Sequence, residues 1–182
     1  NHDILLRKLQ HYGIRGISNK WFQSYLSNRK QYVSINNSDS ELKVIEHGVP
    51  QGSILGPLLF LVYINDLHKS INFSTTRHFA DDTNLLHIIN RNSQRNKNIA
   101  RKVNTDLRSL NNWLLANKIS LNSAKTEMIY FRKKGVNIPD VKIYLNGIKL
   151  TSTSEVKYVG IIFDEFLVFD THIKSLNAKL KR

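Results

Sequence analysis

Cysteine is absent from the 182 residues, which excludes a disulfide framework and any thiolate zinc site. Proline occurs only three times and methionine once. Acids are scarce as well, 14 against 27 lysines and arginines, for a formal net charge of +13. That imbalance points to a polyanionic partner. Nucleic acid comes ahead of a membrane surface, because the cations are spread along the chain and do not gather on one amphipathic basic helix. Charge alone leaves open a generally basic protein with no such partner. Long hydrophobic runs are missing too. The longest, residues 54–64, carries Gly56 and Pro57 and then meets Asn65 and Asp66, so it is too short and too interrupted to span a bilayer. It reads as a buried core helix. No charged-then-apolar signal segment opens the chain, so an intracellular protein is expected, and the sequons at Asn36 and Asn72 carry no weight. The seven histidines are scattered without metal-ligand spacing. Neither an internal repeat nor a low-complexity linker is present.

What the chain does have is an ordinary globular balance, 41% hydrophobic and 23% charged, and the length for one domain with a real core. Residues 1–12 put Ile4, Leu5, Leu9 and Tyr12 near helical spacing with Gly13 just beyond, which predicts a helix ending at a glycine. A second helix is expected from Ser18 as N-cap, with Trp21, Phe22, Tyr25 and Leu26 facing the core. Residues 30–35 and 42–46 read as two strands of a basic hairpin joined by a polar cluster. Residues 90–98 read as a loop. Beyond them Ile99, Val103, Leu107, Leu110 and Leu114 mark an amphipathic helix. Strands are expected over 127–131, on both sides of Asn146-Gly147, and over 156–163 with Gly160 inside, followed by a basic helix from Phe169.

Two stretches carry chemistry. The first is Phe79-Ala80-Asp81-Asp82, two adjacent carboxylates between strand-like runs, read as a hairpin with Asp81 and Asp82 at its tip. Adjacent like charges need either open water or a cation. As a cation site they would suit a hard divalent ion, Mg2+ or Mn2+, which prefers oxygen ligands. The second is His47-Gly48-Val49-Pro50-Gln51-Gly52-Ser53, followed by Gly56-Pro57, directly before the apolar helix. Its glycines let backbone approach a ligand closely, and the helix start after Ser53 offers N–H groups to a phosphate; a plain structural turn is the other reading.

Read together, Val49-Pro50-Gln51-Gly52 and Phe79-Ala80-Asp81-Asp82 resemble the reverse transcriptase of a non-LTR (LINE-like, jockey-like) retrotransposon. Other blocks agree in order. Tyr12-Gly13-Ile14 with Trp21-Phe22 and Tyr25-Leu26 resembles the segment after the family's first catalytic motif. Gly56-Pro57-Leu58-Leu59-Phe60 with Tyr63-Ile64-Asn65-Asp66-Leu67 continues the nucleotide- and template-contacting motif. Trp113, Asn117-Lys118, Leu121-Asn122 and Lys125-Thr126 resemble the motif after the catalytic hairpin, and Tyr158-Val159-Gly160-Ile161 the primer-grip turn.

The resemblance implies an α+β fold, the palm of a right-hand polymerase with part of the fingers and the start of the thumb, its antiparallel sheet backed by helices. Residues 1–165 would be incomplete fingers and palm, and 166–182 the first thumb helix. The implied activity is RNA-directed DNA synthesis with an RNA template, a DNA primer and dNTP substrates, in the nucleus or cytoplasm and without a membrane. Asp81 and Asp82 would be the catalytic metal ligands. Pro50, Gln51 and Gly52 would contact nucleotide or template, and Tyr158, Val159 and Gly160 would form the primer grip. Lys125 would be the cation near the pyrophosphate, a surface lysine being the alternative. The family's first catalytic aspartate is expected upstream of Asn1, so the chain is expected to be inactive alone. A relic that only binds nucleic acid remains the competing reading.

Overall fold

The computed structural model describes residues 1–50, 52–89, 98–138 and 141–181. The chain divides into two compact units, residues 1–70 with 113–119, and residues 71–112 with 120–182.

The first unit begins with α1 (His2–His11), whose N-cap Asn1 accepts from the Ile4 N–H at 3.1 Å. Gly13, just past the helix, has φ +94°, as the expected glycine stop requires. Helix α2 (Gly16–Leu26) starts two residues before the expected Ser18, with Arg15 as N-cap and no side-chain cap. Asn19 instead secures this end from within, donating to the carbonyls of Leu6 and Ile14 at 3.1 Å each. Leu26 is buried and Phe22 and Tyr25 pack on the core, but Trp21 is 53% exposed and stacks on the Tyr25 ring. Its position lies roughly 140° around the helix from Leu26, off the buried stripe.

The expected basic hairpin is two short ladders. Strand β1 (Lys30–Gln31) pairs with β4 (Lys43–Val44), and β2 (Ser34–Ile35) with β3 (Ser38–Asp39), closed by Asn36 and Asn37 at positive φ. Between them the Val33 N–H turns to the Ser40 hydroxyl, which interrupts the ladder.

Helix α3 (Leu55–Ile64) buries Leu59, Tyr63 and Ile64 against Leu5, Leu9 and Leu26. It is not the fully buried helix its composition suggests. Leu58 and Leu61 remain about half exposed, so an apolar surface encircles a helix with only one covered face. Leu9 and Leu26 are each 1% exposed, and burying such a side chain stabilises by about 2 kcal/mol. Trp113 and Ile119 pack on the same cluster, and the Tyr63 hydroxyl donates to the Asn117 carbonyl at 2.5 Å. Burial, with the Asp66 charge second, pushes the Tyr63 phenol above its ordinary pKa.

In the second unit β5 (Thr75–Phe79) and β6 (Asp82–Leu86) form a hairpin. Helix α4 (Ile99–Ala116) follows the expected stripe, with Ile99, Leu107 and Leu110 buried; its residues from Trp113 on count with the first unit. Of the loop expected over 90–98, residues 90–97 lie outside the described residues. The strand expected over 127–131 is reduced to β7 (Met128–Ile129). Strands β8 (Tyr144–Leu145) and β9 (Ile148–Lys149) flank Asn146-Gly147 as its turn chemistry requires. Strand β10 (Ser152–Thr153) pairs parallel with β7. The single strand expected over 156–163 is instead a hairpin of β11 (Glu155–Tyr158) and β12 (Ile161–Asp164), because Val159 and Gly160 both take positive φ and reverse the chain. Helix α5 (Asp170–Leu180) follows.

Mixed helix and sheet is therefore the fold class. In place of one antiparallel sheet, the described residues form six two-stranded ladders, five of them antiparallel.

Candidate active site

The two-residue turn Ala80-Asp81 closes the β5–β6 hairpin, with Phe79 opposite Asp82. Ala80 has φ +50°, a left-handed conformation that costs an alanine about 1 kcal/mol and is held here by the five-residue ladder below it. Asp81 thus sits in the turn, while Asp82 is the first residue of the returning strand. Both are exposed, and no ion pair among the described residues engages either one. Strand alternation puts Asp82 on the same face as Asn84 and its cross-strand partner Arg77.

Exposed, unpaired carboxylate oxygens are the donor type that a hard divalent cation takes. Among the described residues no third acid or imidazole joins them to make a cluster. The pair fits a divalent ion in donor chemistry and would supply only part of a coordination shell.

The ribbon is anchored at its open end by Asp106 of α4, which is fully buried. Its carboxylate accepts three successive backbone N–H groups, from Asn72 at 2.9 Å, Phe73 at 3.1 and 3.2 Å, and Ser74 at 2.7 Å. Pattern reading missed this residue, although a signal was present: an acid seven residues after Ile99 and four before Leu110 lies on the apolar stripe.

Lys125 ends a 3-10 turn, Ser123–Lys125, capped by the Asn122 side chain. Its side chain is exposed, and no ion pair joins it to Asp81 or Asp82. Tyr158 is the last residue of β11, paired with Ile161 across the Val159-Gly160 turn. A β-branched residue at φ +48° is uncommon, and the pairing on both sides holds Val159 there.

In the first unit the Pro50 carbonyl accepts from the Ser53 hydroxyl at 2.8 Å, and Ser53 Oγ in turn accepts from the Gly56 N–H at 3.0 Å. Ser53 Oγ therefore takes one of the N–H groups at the start of α3, although Ile54 is the residue at the helix boundary. A Cβ on Gly56 would meet the Pro50 carbonyl oxygen and Ser53 Oγ at 3.1 Å, so glycine is what lets this loop close on the helix. Gly52 is exposed with φ +78°, and Gln51 lies outside the described residues. His2 Nε2 lies 2.6 Å from the Gly48 carbonyl and ties the loop to α1. Pro50 and Gly52 belong to the first unit; Asp81, Asp82, Lys125 and the 158–160 turn belong to the second.

Residues 1–163 match the family model described as reverse transcriptase (RNA-dependent DNA polymerase). The chain belongs to the reverse transcriptase family. It is 31% identical over 191 residues to a probable RNA-directed DNA polymerase from transposon BS of Drosophila melanogaster, covering 98% of this chain and 20% of that protein. The RNA-directed DNA polymerase from mobile element jockey of Drosophila funebris is 30% identical, over 87% of this chain and 18% of its own. A probable RNA-directed DNA polymerase from transposon X-element of Drosophila melanogaster is 27% identical, over 87% and 17%. This reverse transcriptase chain thus spans about one fifth of the length of the curated relatives it matches. No solved structure matches it. The jockey-like resemblance carried by the motifs agrees with these relatives. Among the described residues, no helix is long and apolar enough to cross a membrane.

Proposed function

We propose that this chain is the palm, with part of the fingers and the start of the thumb, of a mobile element's RNA-directed DNA polymerase. Residues 1–165 would be fingers and palm, and 166–182 the beginning of the thumb. The observation that carries the reading is the Asp81-Asp82 pair, presented bare at the closed end of a short ribbon in a chain of this family.

In this reading Asp81 and Asp82 hold Mg2+ or Mn2+. When bound, such ions neutralise charge on the attacking and leaving oxygens of a phosphoryl transfer. The turn and the five-residue ladder below it hold the backbone that carries the two carboxylates, which limits the reorganisation accompanying the charge that develops in the transition state. Pro50, Gln51 and Gly52 lie against the incoming nucleotide or its template base, where glycine leaves room for backbone to approach. Lys125 offers its ammonium to the pyrophosphate, and the 158–160 turn supports the primer end. RNA template, DNA primer and dNTPs are the partners, and the site of action is the nucleus or cytoplasm.

Primer extension on an RNA template tests this in a full-length polymerase carrying the segment. Asp81→Ala should lower extension about a hundredfold to a thousandfold, the scale of losing one preorganised charge-stabilising group. Lys125→Ala should lower it roughly a hundredfold or more, the scale of a single proton donor. An Asp81→Ala enzyme that extends normally would refute the assignment. A folded parent enzyme that binds template yet extends nothing would favour a binding relic.

A further inference from the structure

We propose that Asp106 is the positioning residue of the Asp81-Asp82 hairpin, a role that rests on the reading of that hairpin as the metal-holding element. Asp106 is 0% exposed and is used by none of the steps above. Its carboxylate gathers the N–H groups of Asn72, Phe73 and Ser74, the three residues directly before β5. Three convergent donors match an ionised carboxylate, which offers only acceptors, better than a neutral amide, whose NH2 group would face another donor.

The clamp is reinforced on both sides. One turn earlier on α4 the Lys102 ammonium lies 5.6 Å from the Phe73 ring centre. Across the hairpin's open end, the Ser74 hydroxyl lies 3.4 Å from His87 Nδ1, just beyond β6. From Ser74 onward the register runs unbroken, Thr75 with Leu86 through Phe79 with Asp82. A two-residue turn leaves no slack, so fixing the Ser74 amide fixes the tip. Helix α4 is itself tied down. Asn104 donates to the Lys142 carbonyl at 2.9 Å and accepts from the Tyr144 N–H at 2.7 Å, holding β8 as a backbone partner would. The tip is thereby referred to the frame of the unit through one buried charge.

Amide hydrogen exchange by NMR on the 182-residue chain, wild type and Asp106→Asn, with and without Mn2+, tests the proposal. In wild type the Asn72, Phe73 and Ser74 amides should exchange as slowly as the middle of α4. In Asp106→Asn they and residues 75–79 should exchange at least about tenfold faster, as expected for loss of a hydrogen bond to a charged group. The amides of Leu5, Leu9 and Leu26 should not change. Broadening of the Asp81 and Asp82 signals by Mn2+ should weaken several-fold in the variant, which a merely local packing role would not cause. Faster exchange confined to 72–74, with the hairpin and its Mn2+ response untouched, overturns the positioning role. If wild type shows no Mn2+ response at Asp81 and Asp82, the metal reading falls, and exchange over 75–79 alone decides whether Asp106 governs the hairpin. Should the variant not fold, wild-type exchange decides: slow amides at 72–74 support the clamp and fast ones overturn it.

Discussion

The Lys8 ammonium lies 2.5 Å from the Asp66 carboxylate, with the Lys8 side chain 13% exposed and that of Asp66 34%. Lys8 also donates to the Tyr63 carbonyl at 2.6 Å and lies 4.6 Å from the Trp113 ring centre and 5.0 Å from that of Tyr63. The cation therefore joins α1, the end of α3 and the 113–119 segment. Its partners are unequal in exposure, so the two halves of the pair should be unequal in effect. Lys8→Ala should destabilise by about 2 kcal/mol, because it strips a carbonyl, a carboxylate and two ring faces at once. Asp66→Asn should cost about 1 kcal/mol or less, since water reaches that carboxylate and screens the pair. Urea midpoints of the two variants check this. Equal losses would mean that the exposed ion pair dominates and the buried contacts do little.

A second carboxylate should reveal itself through pH. Asp164 accepts the N–H groups of Phe166, Val168 and Phe169, at 2.9, 3.2 and 2.6 Å, and these bonds, Phe169's foremost, hold its pKa below the ordinary carboxylate value. A depressed folded pKa means stability that is present above the unfolded value, about 3.9, and lost as pH falls through the lower folded one. Wild type should therefore exceed Asp164→Asn in urea midpoint by a constant margin above about pH 5. The margin should shrink below about pH 4. One that stays constant down to pH 2 would show that the charge on Asp164 contributes nothing.

Side-chain periodicity made the helices legible. The stripe from Ile99 to Leu114 and the glycine after α1 are local signals that tertiary contacts had no reason to override. Asn146-Gly147 was legible for the same reason, because its turn chemistry is complete within two residues. Pattern alone ran one strand through Val159-Gly160, where only the family resemblance marked a turn, since a β-branched residue rarely takes positive φ and the pairing of β11 with β12 holds it there. Nor did the even hydrophobicity of α3 indicate which face is covered. The Asp81-Asp82 pair was visible as a motif, whereas its anchor Asp106 depends on contacts more than thirty residues away in sequence. An acid on an apolar stripe is the trace such a long-range clamp leaves.

A net charge of +13 should appear as salt-dependent binding to RNA, DNA or their hybrid, with little sequence preference. If only about four phosphates are neutralised, a rise from 50 to 200 mM salt should weaken binding roughly a hundredfold. Filter binding or fluorescence anisotropy across that range measures the slope. A flat response would argue against a surface that tracks phosphates.

The hairpin tip itself predicts a reversal of sign. Without divalent ions the adjacent charges of Asp81 and Asp82 repel, and neither has a cationic partner among the described residues, so Asp81→Asn should leave the chain as stable as wild type or slightly more so. With Mn2+ the order should invert. An ion that binds only the folded hairpin stabilises it by about 1.4 kcal/mol at ten times its dissociation constant, and Asp81→Asn forfeits much of that by removing one of two charged donors. Urea midpoints in EDTA and in Mn2+, for wild type and Asp81→Asn, give the four values needed. Since Ala80 and the ladder below it are unchanged by the substitution, backbone strain at the turn cancels between the two proteins. An equal gain from Mn2+ in both proteins would locate the ion elsewhere and remove Asp81 from the site. A crossover would assign it to Asp81, the exposed carboxylate of the two-residue turn.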